Sequence, residues 1–242
     1  MKSRVLVTGA SGFIGWNCLW MLLSKGYEVH AVSRQAAPEG VSPEVIWHQL
    51  NLLDPGCAAQ IIGRVRPERL LHLAWYAVTG SFWEAAENVE WVRVSLDLLR
   101  AFAEGGGKRT VAACSCAEYD MTAGECAETT TLLLPQTLYG QSKLAFEKAG
   151  QEAARQAGLS AAWGRVFFMY GPRENAARPV AHVVKSLMKG EPAECSEGAQ
   201  VLDVSHVEDI AGGLVALLES SVQGPVNIGT GNPVTLRTVF ET

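Results

Sequence analysis

The stretch Arg4-Val5-Leu6-Val7-Thr8-Gly9-Ala10-Ser11-Gly12-Phe13-Ile14-Gly15 decides the fold. An apolar β-forming run breaks at Gly9 and resumes as a helical pattern, so a strand, a tight turn and a helix follow one another directly. Gly9 can take the backbone angles of a sharp strand-to-helix turn. Gly12 has no Cβ to hold a pyrophosphate away from the main chain, and Gly15 lets the helix lie close on the strand. The N–H groups of the helix's first turn lack intrahelical acceptors and face the same turn, which suits the phosphates of a dinucleotide. The spacing is G-x-x-G-x-x-G rather than G-x-G-x-x-G, so the position directly after a strand is what gives these glycines their meaning.

Outward from that turn, Phe13 to Lys25 reads as a helix that is apolar around much of its circumference and ends at Gly26, as expected beneath a sheet. Tyr27 to Val32 is a second strand. In dinucleotide folds an acidic residue at its end takes the adenosine ribose, whereas an arginine accommodates a 2′-phosphate. Here the end is Ser33-Arg34, with no Asp or Glu until Glu39, which predicts a preference for NADP. Val45 to Leu50 is a third strand, and Asp54-Pro55 predicts a helix capped by Asp54 with proline at its first position. Arg69 to Leu73 is a fourth strand that runs into His72-Leu73-Ala74-Trp75. Ser81 to Glu104 reads as one long amphipathic helix closed by Gly105-Gly106-Gly107, and Arg109 to Cys114 is a fifth strand with Ser115 at its carboxyl end. Strands that alternate with helices imply a mainly parallel sheet, with ligands beyond the carboxyl ends of its strands.

Composition narrows the classes. A chain of 242 residues with 48% hydrophobic and 19% charged residues is long enough for one sizeable core with a small appendage. A net charge of −5 gives no basic field for nucleic acid. The N-terminal apolar run is too short for a signal segment, and nothing approaches the ~20 apolar residues of a membrane span. The expectation is a cytoplasmic protein without nucleic-acid or membrane partners. Cys18, Cys57, Cys114, Cys116, Cys126 and Cys195 form no CxxC pairs and have no histidine partners, so they read as buried or indifferent thiols rather than metal ligands or disulfides.

The acid–base chemistry sits in Leu138-Tyr139-Gly140-Gln141-Ser142-Lys143, the start of a helix that runs to about Ala157. Tyr139 and Lys143 are four apart and share one face. A phenol of ordinary pKa near ~10 is a poor proton carrier at neutral pH, and a neighbouring ammonium favours its phenolate. Tyr139 can then exchange a proton with a substrate oxygen. On its own Y-x-x-x-K is a common pattern.

Taken together, Thr8-Gly9-x-x-Gly12-x-x-Gly15, the His72-Leu73-Ala74 turn, Ser115 and Tyr139-x-x-x-Lys143 come in the order and spacing of the extended short-chain dehydrogenase/reductases. The chain resembles that family, the NAD(P)-dependent epimerase, dehydratase and reductase enzymes that act largely on nucleotide sugars. The resemblance continues through Arg165-Val166-Phe167-Phe168-Met169-Tyr170-Gly171-Pro172, His206-Val207-Glu208-Asp209 and Asn227-Ile228-Gly229-Thr230-Gly231. It implies an α/β Rossmann fold, a doubly wound parallel sheet with a small C-terminal substrate-binding lobe. Residues 1–165 would form the dinucleotide-binding domain with the catalytic Ser/Tyr/Lys, and 166–242 a mixed segment that returns to the sheet and forms the lobe.

By the same resemblance Tyr139 is the acid–base residue, Lys143 meets the nicotinamide ribose and lowers the Tyr139 pKa, and Ser115 bonds the reacting oxygen. The cofactor would lie against Gly9, Ser11, Gly12, Phe13, Ile14, Gly15, Ser33, Arg34, Asn51, Leu52, Leu73, Ala74, Trp75, Tyr139, Lys143 and Phe168. The substrate, a small molecule of nucleotide-sugar type, would meet Ser115, Cys116, Arg173 and Arg178, with no metal. The long helices Ser81–Glu104 and Pro135–Ala157 would pair in a homodimer. Two matches read as scaffold: His72 packs under the sheet edge, and Ser205-x-x-Glu208 is a capping box.

Within the family, hexose dehydratases carry an Asp-Glu pair directly after the catalytic Ser or Thr. Here those positions are Cys116 and Ala117, and Glu118 comes one place late, pointing elsewhere at a strand end. Dehydration is disfavoured. Ser33-Arg34 favours an NADPH-dependent reductase over an NAD-dependent epimerase, and the Cys116 to Asp120 loop resembles that of enzymes reducing nucleotide-linked 4-keto-6-deoxy sugars. The further alternative is a dinucleotide-binding protein, redox-sensing or structural, without catalysis. Three departures bear on the substrate. Phe168 stands where the family commonly has Asn, and Leu202 stands where an Arg usually grips a substrate phosphate, a bidentate contact no leucine replaces. Arg173 and Arg178 either substitute for it or are surface charges. The chain also stops at Thr242, inside a helical pattern where family members continue, which implies a truncated chain or a reduced lobe.

Overall fold

The computed structural model describes residues 2–242. In chain order the strands are β1 (Arg4–Thr8), β2 (Glu28–Ser33), β3 (Ile46–Gln49), β4 (Arg69–His72), β5 (Arg109–Ser115), β6 (Ser160–Val166), β7 (Phe168–Tyr170), β8 (Val201–Leu202), β9 (Val204–His206), β10 (Gly224–Ile228) and β11 (Val234–Thr235). The helices are α1 (Phe13–Ser24), α2 (Cys57–Val65), α3 (Glu87–Glu104), α4 (Leu138–Gln156), α5 (Pro179–Met188), α6 (Val207–Glu219) and α7 (Leu236–Glu241). Seven strands form one parallel sheet in the order β3-β2-β1-β4-β5-β6-β10. This is the doubly wound α/β sheet that the sequence implied.

The inner strands β1, β2, β4, β5 and β6 are buried along nearly their whole length, which is why these stretches read as near-continuous apolar runs, while the edge strands β3 and β10 are only partly covered. Along β1, Val5 and Val7 pack with Leu22 of α1 and Leu214 of α6, while Leu6 points the other way, toward Ile61 of α2, Leu98 of α3 and Phe146 of α4. From β1 the chain winds one way to β2 and β3, then returns to β4 and winds the other way. That reversal opens a crevice beyond the carboxyl ends of β1 and β4, where such folds hold their ligands. Away from the main sheet, β7 pairs in parallel with β9, and β8 pairs antiparallel with β11. Among the described residues no helix is long and apolar enough to cross a membrane.

Three local expectations are corrected. The helix expected from Ser81 begins only at Glu87, because the Asn88 side chain donates to the carbonyls of Phe82 and Ala85 at 2.7 and 2.9 Å and holds a turn there instead. Asp54 does not cap α2. Its carboxylate is taken by the Asn51 amide at 2.9 Å, and the helix starts at Cys57 after Gly56 in a left-handed conformation. At α6 the cap is His206, whose ring accepts from the Glu208 N–H, and the Ser205 hydroxyl is buried without a partner. A capping box does exist elsewhere, between Ser115 and Glu118.

Candidate active site

A cavity of about 780 Å³ lies along the carboxyl edge of the sheet. It runs from the Gly9 turn past Ser115 and Tyr139 to Phe168 and Arg178. The residues at its first end fit a dinucleotide. Gly9 sits at φ +69, and a Cβ there would stand 2.7 Å from the Ala74 nitrogen, so only glycine lets β1 turn beside the β4 loop. A Cβ at Gly15 would run into the Gly9 carbonyl, and one at Gly12 would stand 3.0 Å from it. The helix they start has no side-chain cap, and Phe13, Ile14 and Gly15 of its first turn line the cavity. A free helix N-terminus on a Cβ-free turn is what a diphosphate needs.

The turn is wired to β4 through buried polar groups. Thr8 Oγ1 accepts the N–H groups of Leu73 and Ala74 at 3.2 and 3.3 Å, so its own proton goes to His72 Nδ1 at 2.7 Å. The opposite ring nitrogen then donates to Ser95 Oγ at 2.8 Å. Burial, aided by the Lys143 charge, holds the His72 pKa down at about 3, so the ring is neutral. His72 is therefore a bonded strut between sheet and helix rather than simple packing.

At the middle of the cavity α4 presents Tyr139 and Lys143 opposite Ser115. Thr137 caps the helix through Gly140 N–H at 3.1 Å, and Gly140 lets the helix start press on the Ala117 carbonyl. The Ser115 hydroxyl accepts from Ala117 N–H at 3.2 Å and keeps its proton to donate. Burial pushes the Tyr139 phenol above its ordinary value, and Ser115 pulls it back. Burial also lowers Lys143 to about 8. The Lys143 ammonium donates to the Ala113 carbonyl at 2.7 Å and lies 3.9 Å from the centre of the Trp75 ring. Phe82 and Trp83 meet the Tyr139 ring edge-on, at 5.0 and 5.7 Å between centres.

Glu118 does point away from the cavity. Its carboxylate accepts from Ser115 N–H at 3.0 Å and from Arg165 Nε at 3.0 Å. Arg165, fully buried, also binds Glu147 through two bonds of 2.9 and 2.6 Å and donates to the Tyr119 hydroxyl at 2.9 Å. Burial, and then the Glu147 carboxylate beside it, push Glu118 up to about 8 against the pull of Arg165. Cys114, Glu118 and Glu147 bring their donor atoms within 4.8 Å of one another, but both carboxylates are spoken for by Arg165.

Nearly all residues singled out in the sequence line this one cavity; the exceptions are Asn51 and Arg173. Asn51 turns its amide to Asp54, and the Arg173 guanidinium stacks 3.8 Å over Trp16 of α1. Of the two arginines offered for the substrate only Arg178 reaches the cavity, alongside Glu174. Sequence reading missed Phe82, Trp83 and Asn88. The available signal was an asparagine closely following Phe82-Trp83, a residue type that bonds turn carbonyls as readily as it enters a helix.

The family model described as "NAD dependent epimerase/dehydratase family" matches residues 5–229. The chain is similar to a UDP-glucuronate 4-epimerase from Thermodesulfobacterium geofontis, 25% identical over 256 residues, covering 98% of this chain and 78% of the relative. Among solved structures it is similar to the UDP-glucose 4-epimerase of Thermus thermophilus in complex with NAD, at 29% identity and TM-score 0.87, covering 98% of this chain and 81% of that one. It is likewise similar to MoeE5 in complex with UDP-glucuronic acid and NAD, at 29% identity and TM-score 0.82, covering 98% and 80%. The family match runs from the first strand of the sheet through the last, and on that ground the chain belongs to the NAD-dependent epimerase/dehydratase family.

Proposed function

We propose that the chain is an NAD(P)-dependent oxidoreductase of a nucleotide-linked sugar, and that its leading activity is epimerisation at a sugar carbon. The observation that carries this reading is the convergence of Ser115, Tyr139 and Lys143 on the cavity that begins at the glycine turn. A bound nicotinamide supplies the hydride acceptor and donor. In the forward step Tyr139 takes the proton of the sugar hydroxyl as its carbon is oxidised, and Ser115 donates a hydrogen bond to the same oxygen. Were the hydride returned to the opposite face of the sugar, Tyr139 would give the proton back to the same oxygen, with no net oxidation. The Lys143 ammonium stabilises the Tyr139 phenolate that takes the proton at the start of this cycle and is left again at its end. Water elimination has no acid–base pair to use. Ala117 cannot carry a proton, and burial pushes the Cys116 thiol up to about 12.

The similar proteins named above are 4-epimerases or hold UDP sugars with NAD, which supports this reading of the substrate class. A second reading, NADPH-dependent reduction of a 4-keto-6-deoxy sugar, is favoured by Arg34, which lines the cavity at the end of β2 where no acidic residue stands. In both readings residues 166–242 are the proposed substrate lobe and a homodimer through α3 and α4 the proposed assembly.

The experiment is incubation with UDP-glucose or UDP-glucuronate and NAD, with the 4-epimer followed by NMR, against incubation of a 4-keto sugar nucleotide with NADPH at 340 nm. Tyr139→Phe is expected to lower turnover by about 10²–10⁴-fold. Unchanged turnover in Tyr139→Phe overturns the catalytic assignment. For the cofactor, Arg34→Ala should narrow a preference for NADPH over NADH, and equal affinities in both proteins remove the second reading.

A further inference from the structure

Lys143 is 4% exposed, and its charge has few partners. The ammonium meets one carbonyl, that of Ala113, and two aromatic rings, Trp75 at 3.9 Å and the more distant Tyr139 at 5.9 Å from the ring centre. Of the neighbouring titratable groups, Cys114 and Glu118 favour its charged form, but less than burial opposes it. On β4, His72 is neutral. On β5 and the turn after it, the Cys114 thiol is raised by burial and Glu118 is bound to Arg165. On α4 itself, burial raises the Tyr139 phenol above its ordinary value and Glu147 is bound to Arg165.

Trp75 in turn is fixed. Its indole N–H donates to Asn88 Oδ1 at 2.8 Å, while the Asn88 amide donates to the carbonyls of Phe82 and Ala85. Asn88 is fully buried, with its oxygen and both amide hydrogens engaged, so it has no other pose that satisfies them. Trp91 and Phe146 close on the Trp75 ring at 6.3 and 6.1 Å. One buried amide thereby sets two things together: the ring that covers Lys143 and the turn whose Phe82 and Trp83 flank Tyr139.

We propose that Trp75, held by Asn88, is a positioning residue that keeps the Lys143 ammonium charged and aimed along the Tyr139 face of α4. The electron-rich ring face stands in for a carboxylate. It favours the charged form without a counter-charge that would also repel the phenolate. The consequence for catalysis rests on the acid–base role proposed above; the effect on the Lys143 charge does not.

The test reads the charge directly. In cofactor-free protein labelled with 13Cε-lysine, the Lys143 signal is identified by its loss in Lys143→Met and followed through pH. Trp75→Leu should lower its midpoint by about one pH unit, and Trp75→Phe, which keeps a ring face, should restore most of that shift. Should Trp75→Leu not fold, biosynthetic replacement of the tryptophans by fluorinated analogues keeps the shape and weakens the face. The midpoint should then fall stepwise with the number of fluorine atoms. A midpoint that stays put in folded Trp75→Leu, or across the fluorinated series, overturns the proposal. With an active substrate, the alkaline limb of the kcat profile should move down by the same amount. A shifted midpoint in a protein without turnover on any nucleotide sugar leaves this inference standing and removes the functional reading instead.

Discussion

The glycine turn and the segment after β6 meet across the same cavity but are built in opposite ways. Around Gly9 the constraints are on the main chain: a left-handed φ, a Cβ that has no room, and N–H groups left free at the start of α1. After β6 the polar side chains mostly fasten loops to one another. Asp203 accepts from the N–H groups of Thr230 and Gly231 at 2.8 and 2.7 Å and from the Thr230 hydroxyl at 2.7 Å. Arg173 stacks on Trp16, and few charged groups of this segment, Glu174 and Arg178 among them, line the cavity. The contrast fits what each side is proposed to bind. A diphosphate is the same in every dinucleotide, so backbone geometry suffices for it, whereas a particular sugar must be told apart by a few side chains.

The joint between the two sides is Arg165, and it gives the largest effect. Beyond its two carboxylates, its chain of bonds passes through the Tyr119 hydroxyl to Asn227 Oδ1 at 2.7 Å, and so from β6 to β10. Arg165→Met strands two buried carboxylates and should lose about 3–5 kcal/mol in urea unfolding. Carboxyls whose folded pKa is raised favour folding while protonated and lose that contribution as pH rises. The deficit should therefore be larger at pH 8 than at pH 5. A pH-independent deficit would show that the lost bonds, and not the stranded charge, carry the effect.

Next in size is Gly9→Ala on the cofactor side. The left-handed φ and the overlap with Ala74 together should cost about 2–3 kcal/mol and weaken NAD(P) binding, read by thermal unfolding and by fluorescence titration. If stability falls and affinity does not, the turn is scaffold and the phosphates lie elsewhere.

The same contrast explains what was legible in the sequence. Gly9, Gly12 and Gly15 are readable because a backbone need maps to a residue type at a fixed offset, and Tyr139 and Lys143 because helical spacing puts them on one face. Asn88 could be read either as a turn residue or as part of the helix. A side chain that bonds Phe82 and Ala85 carbonyls competes with a helix pattern that continues smoothly back to Ser81, and only tertiary packing decides between them. The Trp75 contact with Lys143 was hidden for another reason: it joins residues far apart in sequence through the sheet's crossover, and no local pattern encodes it. Arg173 and Arg178 looked equivalent, since charge and composition do not say which way a loop residue turns.

That last pair gives the smallest effects and the finest test of the contrast. Arg178 begins α5 as its N-cap, lines the cavity, and holds its guanidinium 5.6 Å from the Phe82 ring, which itself meets Tyr139. A guanidinium that meets Tyr139 only through Phe82 acts on a bound substrate rather than on the proton transfer, so Arg178→Ala should raise KM by about 10-fold with kcat little changed, the value of one charge-assisted hydrogen bond. Arg173 has φ +73 and spends its charge on Trp16. Arg173→Gly gives up a cation–π contact of about 0.5–1 kcal/mol and relieves a left-handed backbone worth about the same, so stability and KM should both stay near the parent values. If Arg173→Gly raises KM and Arg178→Ala does not, the substrate lies along α1 rather than under α5, and the side of the cavity that selects the sugar is the side that holds the cofactor.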